Sequence, residues 1–98
     1  MNGELMVFIV YDRAIDEEVI DLLEGLDIKY YTKLRDALGV GRHDPHLGDE
    51  VWPGLNNVTM VATQEEKKEK LLSLIRALQA SFPSVGLRAF VVPIMDMV

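Results

Sequence analysis

Apolar residues follow two different patterns along this chain. Residues 5–11 and 87–94 are apolar at nearly every position, and 28–35 alternates apolar with polar residues. A short, continuous apolar run rich in β-branched residues predicts a strand buried on both faces, whereas alternation predicts a strand with one exposed face. The segment 28–35 is therefore predicted to be half exposed and basic on one side. A further strand is predicted at 57–63.

Two segments between these strands carry apolar residues at helical spacing. The stripes consist of Ile15, Val19, Leu22 and Leu26 in the first segment, and of Leu71, Ile75, Leu78 and Phe82 in the second. Such stripes predict amphipathic helices. Asp12 is placed to cap the first helix, and residues 63–66 (Thr-Gln-Glu-Glu) fit a capping box for the second.

The predicted order of elements is βαββαβ. Because strand–helix–strand crossovers are right-handed, this order predicts an α+β, ferredoxin-like sandwich with an antiparallel sheet of strand order 4-1-3-2. Both helices then cover the same face of the sheet. The length of 98 residues predicts one domain over 1–98.

The first and last strands are apolar on both sides, although the helices cover only one face of such a sheet. Exposing about five large apolar side chains forfeits on the order of 10 kcal/mol, at roughly 2 kcal/mol each. A typical domain has a total stability of only about 5–15 kcal/mol. We therefore expect the second face to be buried against other subunits of a homo-oligomer.

The composition argues against several classes of function. Sixteen acidic residues against ten Lys or Arg give a net charge of −6, which argues against nucleic-acid binding. No apolar run approaches the roughly 20 residues that span a bilayer, so no membrane insertion is expected. The absence of cysteine excludes disulfides and thiolate chemistry. The sequence predicts a soluble, cytoplasmic protein.

The connection over residues 36–56 is far too long for a simple hairpin, which closes in about two to five residues. It holds four of the seven glycines, both histidines, the only tryptophan and two of the four prolines. Long loops of biased composition are commonly functional. A binding site is therefore predicted to include this loop.

One interpretation of the loop is anion binding. Gly39 and Gly41 allow backbone N–H groups to approach a phosphate, and Arg42 adds a fork of donors. The segment is not a Walker A loop, because no Gly-Lys-Ser/Thr follows. It is not a dinucleotide-binding fingerprint either, because it opens no helix.

A second interpretation is a divalent metal held by His43 and His46. Three carboxylates lie nearby in sequence: Asp44, Asp49 and Glu50. Imidazole and carboxylate together suit zinc or a similar ion. The alternative is that both histidines are exposed or cap a turn.

A third interpretation is partner recognition through Leu47 and Trp52, which could anchor another protein. Trp52 could equally fold back onto its own oligomer. An enzyme is not predicted, because the serines have no histidine nearby in sequence and the paired carboxylates at 16–18 are explained by the helix dipole. Acylphosphatases share the fold, but their Gly- and Arg-rich loop follows the first strand, where this chain reads Asp-Arg-Ala at 12–14.

Three segments resemble the PII signal-transduction superfamily. Residues 32–35 (Thr-Lys-Leu-Arg) are similar to its Thr-x-Val-Arg strand end, and 39–43 (Gly-Val-Gly-Arg-His) to the Gly-Phe-Gly-Arg-Gln at the base of its T-loop. Residues 86–94 are similar to its final Gly-Lys-Ile-Phe-Val-Ile-Pro-Val strand. The long loop also lies between the second and third strands, as in the family.

The resemblance implies a non-catalytic regulator that forms a trimer with inward-facing sheets. It implies a small effector, in the family a nucleotide, in the cleft between subunits. The ligand-binding residues would be Thr32, Gly39, Gly41 and Arg42. The loop over 38–56 would then act on a target protein.

The chain also departs from the family pattern. Three extra residues stand at 36–38, and 80–86 (Ala-Ser-Phe-Pro-Ser-Val-Gly) replaces the Gly-rich B-loop. No C-terminal arginine follows the last strand. These departures imply a PII-like protein with altered ligand specificity. The alternatives are a CutA-like, metal-binding trimer that uses the loop histidines, and an interaction module without a ligand.

Overall fold

The computed structural model describes residues 4–41, 45–48 and 54–98. The elements are β1 (Leu5–Asp12), a 3-10 turn (Arg13–Ile15), α1 (Asp16–Gly25), β2 (Thr32–Ala37), β3 (Asn56–Thr63), α2 (Glu65–Ser81) and β4 (Leu87–Pro93). They form one antiparallel sheet of order β2-β3-β1-β4. This is the predicted order 4-1-3-2, and the α+β, ferredoxin-like class is confirmed.

The hydrophobic core lies between the two helices and one face of the sheet. Val7, Ile9 and Tyr11 of β1 point into it and are at most 1% exposed. From the helices, the most buried side chains are those of Val19, Leu23, Leu71 and Ile75. The predicted helical stripes thus point to the core, with Leu23 added to the stripe of α1.

The opposite face of the sheet carries three cross-strand rows of side chains. They are Ala62–Met6–Val92, Thr32–Met60–Phe8–Phe90 and Leu34–Val58–Val10–Arg88. Most of these side chains are apolar, yet Leu34 is 52% exposed and Phe90 is 54% exposed. The expected second apolar face is therefore present. We call it the open face.

The prediction that the second strand begins at Ile28 is wrong, because β2 begins at Thr32. Asp27 adopts a left-handed φ of 58°, and the N–H of Ile28 donates to Leu23 O at 2.9 Å. Such a left-handed residue ends a helix and satisfies its last carbonyls. Ile28 is buried in the core directly after α1. Residues 28–31 therefore follow the helix end and lie outside the strand, whereas 32–35 of the alternating segment belong to β2.

The predicted capping box is also wrong. The helix α2 begins at Glu65, and its N-cap residue is Gln64, which makes no side-chain capping bond. Thr63 is instead the last residue of β3 and is 8% exposed on the helix side of the sheet. Asp12 does act as a cap, but of the 3-10 turn, where its Oδ1 accepts from the N–H of Ala14 at 2.8 Å.

Candidate functional site

A cleft of about 460 Å³ lies at the end of the sheet where β1 ends and β4 begins. One wall is the loop arm, residues 38–41, and the other is the exit segment, residues 82–88, which leads from α2 into β4. The lining side chains are mainly apolar, and they include Val10, Leu38, Val40, Phe82, Val85 and Leu87. The walls therefore offer apolar contacts, with polar groups at a few points.

The loop arm is fixed by an isolated β-bridge. The N–H of Gly39 donates to His46 O at 2.8 Å, and the N–H of His46 donates to Gly39 O at 2.6 Å. A Cβ atom on Gly39 would lie 2.6 Å from Nδ2 of Asn56, which is closer than side chains approach. Glycine at position 39 thus permits the arm to pack directly against the start of β3.

The exit segment is held from the end of α2. Gln79 Nε2 donates to Leu87 O at 2.9 Å, and the N–H of Val85 donates to Phe82 O at 3.1 Å. Pro83 and Gly86 complete this wall of the cleft. The segment at 80–86, which differs in sequence from the Gly-rich B-loop of the resembled family, therefore contributes a wall of the cleft.

Arg88 is the one lysine or arginine among the described residues that line the cleft. It is exposed and lies beside Val10 in the third row of the open face. A guanidinium group binds phosphate and carboxylate groups through two parallel hydrogen bonds. Sequence reasoning missed Arg88, although a single cation within an apolar strand was the available signal.

His46, which lines the cleft, contacts Asp12. The distance from Nε2 of His46 to Oδ2 of Asp12 is 2.8 Å, and the His46 side chain is only 12% exposed. Burial acts to raise the pKa of the Asp12 carboxyl, but its bonds with His46 and with the N–H of Ala14 outweigh burial and lower that pKa. Asp12 is therefore an ionised acceptor at neutral pH.

A second polar cluster joins β1, α1, β2 and β3. The Asp16 carboxylate accepts from Tyr11 OH at 2.5 Å, Asn57 Nδ2 at 3.0 Å and Lys33 Nζ at 2.8 Å. The Tyr11 hydroxyl also contacts Thr59 Oγ1 at 2.9 Å. Lys33 thus points to the helix layer, so the basic side of β2 faces α1 rather than solvent alone.

Burial and the Asp16 bonds decide the protonation of this cluster. Burial and the adjacent carboxylate raise the pKa of Tyr11, so its phenol stays protonated. Burial opposes ionisation of Asp16, but hydrogen bonds from Lys33, Tyr11 and Asn57 outweigh burial and lower its pKa. All named polar atoms of the cluster have partners, which is typical of a structural network.

A β-bulge leads from β2 into the loop. The pairing with β3 shifts between Leu34 and Ala37, and Asp36 adopts a φ of 60°. Its N–H donates to Asn57 Oδ1 at 3.2 Å, and its carboxylate accepts from Arg13 at 3.0 Å. Bulges bend a strand and redirect the chain. Asp36 and Ala37, which the sequence assigns to the loop, therefore belong to the end of β2.

The structure brings together only some of the predicted ligand-binding residues. Gly39 and Gly41 line the cleft, whereas Thr32 lies on the open face and is not among the residues that line it. Arg42 lies outside the described residues. The proposed role of these residues in ligand binding stays a prediction.

The predicted metal and partner residues are also divided. His43 and Trp52 lie outside the described residues, and Leu47 is 38% exposed in the loop. In the described part of the chain, no three His, Asp or Glu side chains converge to hold a metal ion. His46 contacts the carboxylate of Asp12. Among the described helices, none is long and apolar enough to cross a membrane.

Comparison with known proteins gives matches in structure but not in sequence. No family model matches the chain, and no curated protein matches it in sequence. One similar structure is that of CPII, a nitrogen regulatory PII-like protein from Thiomonas intermedia K12, bound to ADP and bicarbonate. It has a TM-score of 0.75 and 25% sequence identity, over 93% of this chain and 85% of CPII.

Two further structures share the fold. TTHA0516 from Thermus thermophilus, described as a PII-like signalling protein, has a TM-score of 0.67 and 21% identity, over 93% of this chain and 86% of its own. A DUF3240 family protein from Shewanella baltica has a TM-score of 0.69 and 15% identity, over 100% of this chain and 97% of its own. These two matches show the shared fold. The match to CPII, with the strand order and the position of the long loop, supports the assignment of the chain to the PII-like superfamily.

Proposed function

We propose that this chain is a PII-like regulatory protein that binds a small anionic effector in the cleft between the loop arm and the exit segment. The observation that carries this proposal is the cleft itself, in which glycines of the arm lie on one side and Arg88 on the other. The neighbour CPII, which has the same fold, is described with bound ADP and bicarbonate. An adenine nucleotide is therefore the effector class to test first.

The chemistry of the lining fits such a ligand. Apolar side chains of the arm and of the exit segment offer a surface for a base, and Arg88 offers a guanidinium for a phosphate or a carboxylate. Arg42, directly after the arm, supplies a second cation in the sequence. The nearby carboxylate of Asp12 is already hydrogen-bonded to His46.

The proposed assembly is a homotrimer that packs through the open face. Leu34, Phe90 and Val92 expose 41–54% of their surface there, and contiguous apolar surface of this kind marks an interaction site. Arg88 lies on the same face and also lines the cleft, so a neighbouring subunit would close the site. The protein would have no catalysis of its own and would act in the cytoplasm as one domain.

Signalling would run through residues 38–56. The loop arm belongs both to the wall of the cleft and to the connection between β2 and β3. A ligand that contacts the arm would favour one conformation of the loop, which is how binding shifts a conformational equilibrium. Leu47 and Trp52 are the residues proposed to contact the target protein.

Calorimetric titration with ADP, AMP and bicarbonate tests the proposal. We expect ADP to bind, and Arg88→Ala to weaken its binding about tenfold or more, because a charge-assisted bond to phosphate contributes about 1.5–3 kcal/mol. Arg76→Ala, which removes an exposed arginine of α2, is the matched control and should leave affinity unchanged. Light scattering on Arg88→Ala separates loss of binding from loss of assembly.

Arg42→Ala extends the same titration to the residue predicted from the sequence. We expect it to weaken ADP binding as well. A wild-type protein that binds none of the three ligands would overturn the proposal. The same conclusion would follow if Arg42→Ala and Arg88→Ala both bound ADP with wild-type affinity.

A further inference from the structure

His46 is fixed more firmly than its position in a long loop predicts. Both its backbone groups pair with Gly39, and its ring contacts Asp12 across 34 residues of sequence. The side chain is 12% exposed. His46 is therefore held in position relative to both Gly39 and Asp12.

Asp12 is fixed equally well on the other side of this contact. Its Oδ1 accepts from the N–H of Ala14 at 2.8 Å, and its own N–H donates to Gly86 O at 3.0 Å. Gly86 belongs to the exit segment, whereas Gly39, the partner of His46, belongs to the loop arm. The Asp12–His46 contact therefore connects the two walls of the cleft.

Gly54 makes room for the imidazole ring of His46. A Cβ atom on Gly54 would lie 2.9 Å from Cδ2 of His46 and 3.2 Å from its Nε2. The ring is thus packed between the carboxylate of Asp12 and the backbone at position 54. A side chain at 54 would therefore require the ring or the adjacent backbone to shift.

A second contact ties the same region to the loop. The N–H of Arg13 donates to Leu55 O at 3.0 Å, and the Arg13 guanidinium donates to Asp36 at 3.0 Å. Residues 12 and 13 therefore hold the loop where it leaves β2, where it reaches His46 and where it returns to β3. Of the three loop residues that these contacts hold, Asp36, His46 and Leu55, His46 is the one that lines the cleft.

We infer that His46 is a positioning residue for the ligand site: its contact with Asp12 holds the loop arm at a fixed distance from the exit segment, so that ligand binding in the cleft and the position of the loop arm depend on each other. The link to ligand binding in this inference rests on the proposed function, whereas the Asp12–His46 contact does not. It also gives His46 a role other than metal binding. Neither Asp12 nor His46 needs to touch the ligand for this role.

Amide hydrogen exchange tests the contact without any ligand. The N–H groups of Gly39 and His46 should exchange about tenfold faster in His46→Ala and in Asp12→Asn than in the wild type, because losing a charge-assisted bond opens the arm. His46→Gln keeps a side-chain donor and should restore most of the protection. Gly54→Ala, which requires the ring or the adjacent backbone to shift, should open the arm to a similar extent as His46→Ala.

ADP titration of the same variants tests the link to binding. We expect His46→Ala and Asp12→Asn each to weaken ADP binding about fivefold to tenfold, and the double variant to be no weaker than the weaker single variant, since both remove the same contact. Gln64→Ala, at the other end of the sheet, is the control and should change neither readout.

The outcomes separate the two proposals. Unchanged exchange in His46→Ala, or additive effects in the double variant, would overturn the positioning role even if ADP binds. Faster exchange in a protein that binds no ADP would support the contact between the walls and overturn the nucleotide proposal. Faster exchange with unchanged ADP affinity would overturn the coupling between the loop and the cleft.

Discussion

The two faces of β1 are equally apolar in sequence but differ in the fold. Val7, Ile9 and Tyr11 are at most 1% exposed beneath the helices, whereas Met6, Phe8 and Val10 alternate with them on the open face and are only partly buried. In an antiparallel sheet with one solvated face, that face is normally polar. This difference shows that the fold of a single chain leaves part of the apolar side chains of this sequence unburied.

We call the face of the sheet beneath the helices the covered face. Truncation of a side chain packed against this face should have the largest effect on the free energy of unfolding. Leu71→Ala removes a fully buried side chain of α2 and should lower the free energy of unfolding by about 2–5 kcal/mol, through lost burial and the cavity left behind. Urea denaturation of wild type and variant measures it. Leu74→Ala, on the exposed side of the same helix, should change stability by less than about 0.5 kcal/mol. Equal losses at 71 and 74 would contradict the assigned core.

Substitutions on the open face should weaken the association of subunits rather than the folding of the chain. Phe90→Asp places a charge in the middle row and should weaken association by about 2 kcal/mol per subunit or more, or roughly 30-fold. Light scattering should then show the mass of a monomer that remains folded by circular dichroism. Leu74→Asp is the control and should leave the mass of the assembly unchanged. A wild type that is monomeric at micromolar concentration would refute the interface.

The polar cluster should add a dependence on pH to the covered face. The pKa of Asp16 is lower in the folded protein than in the unfolded chain, where it is about 3.9, so its contribution is present above about pH 4 and is lost as pH falls through the lower, folded value. Asp16→Asn should therefore cost about 1–2 kcal/mol at pH 7. The difference between wild type and variant should shrink below about pH 4, as measured by urea midpoints from about pH 3 to 7. A constant difference over this range would show that ionisation of Asp16 contributes nothing.

The smallest of these effects is expected at the Tyr11 hydroxyl. Tyr11→Phe keeps the buried ring but removes the bonds to Asp16 and Thr59, so we expect a loss of about 1 kcal/mol. Denaturation at pH 7 measures it. Tyr31→Phe, in an exposed position outside the strands, is the matched control and should have no effect. If Tyr11→Phe were neutral as well, the cluster would not contribute to the stability of the covered face.

Local sequence patterns predict most of the fold. Continuous apolar runs locate β1 and β4, and the helical stripes locate both helices, because burial imposes the period of each element on its residues. The start of β2 could not be found this way. An apolar residue such as Ile28 fits either a strand or the position that follows a helix end. Only its packing at the end of α1 distinguishes the two.

The cleft is less predictable than the fold. Gly39 and Gly41 carry a local signal, and both line the cleft. Arg88 and the Asp12–His46 pair are harder to find, because each lies in a segment whose pattern is explained by another role. Their proximity follows from the sheet, which brings the end of β1 beside the start of β4.

The sequence by itself determined the type and order of the elements and the presence of a second apolar face. Periodicity and right-handed crossovers restrict a βαββαβ chain to very few arrangements, so the strand order follows. Only the tertiary structure decided which side of each strand is covered, where the cleft lies and that His46 contacts Asp12. Those features depend on contacts between residues distant in the chain, and no local pattern encodes such contacts.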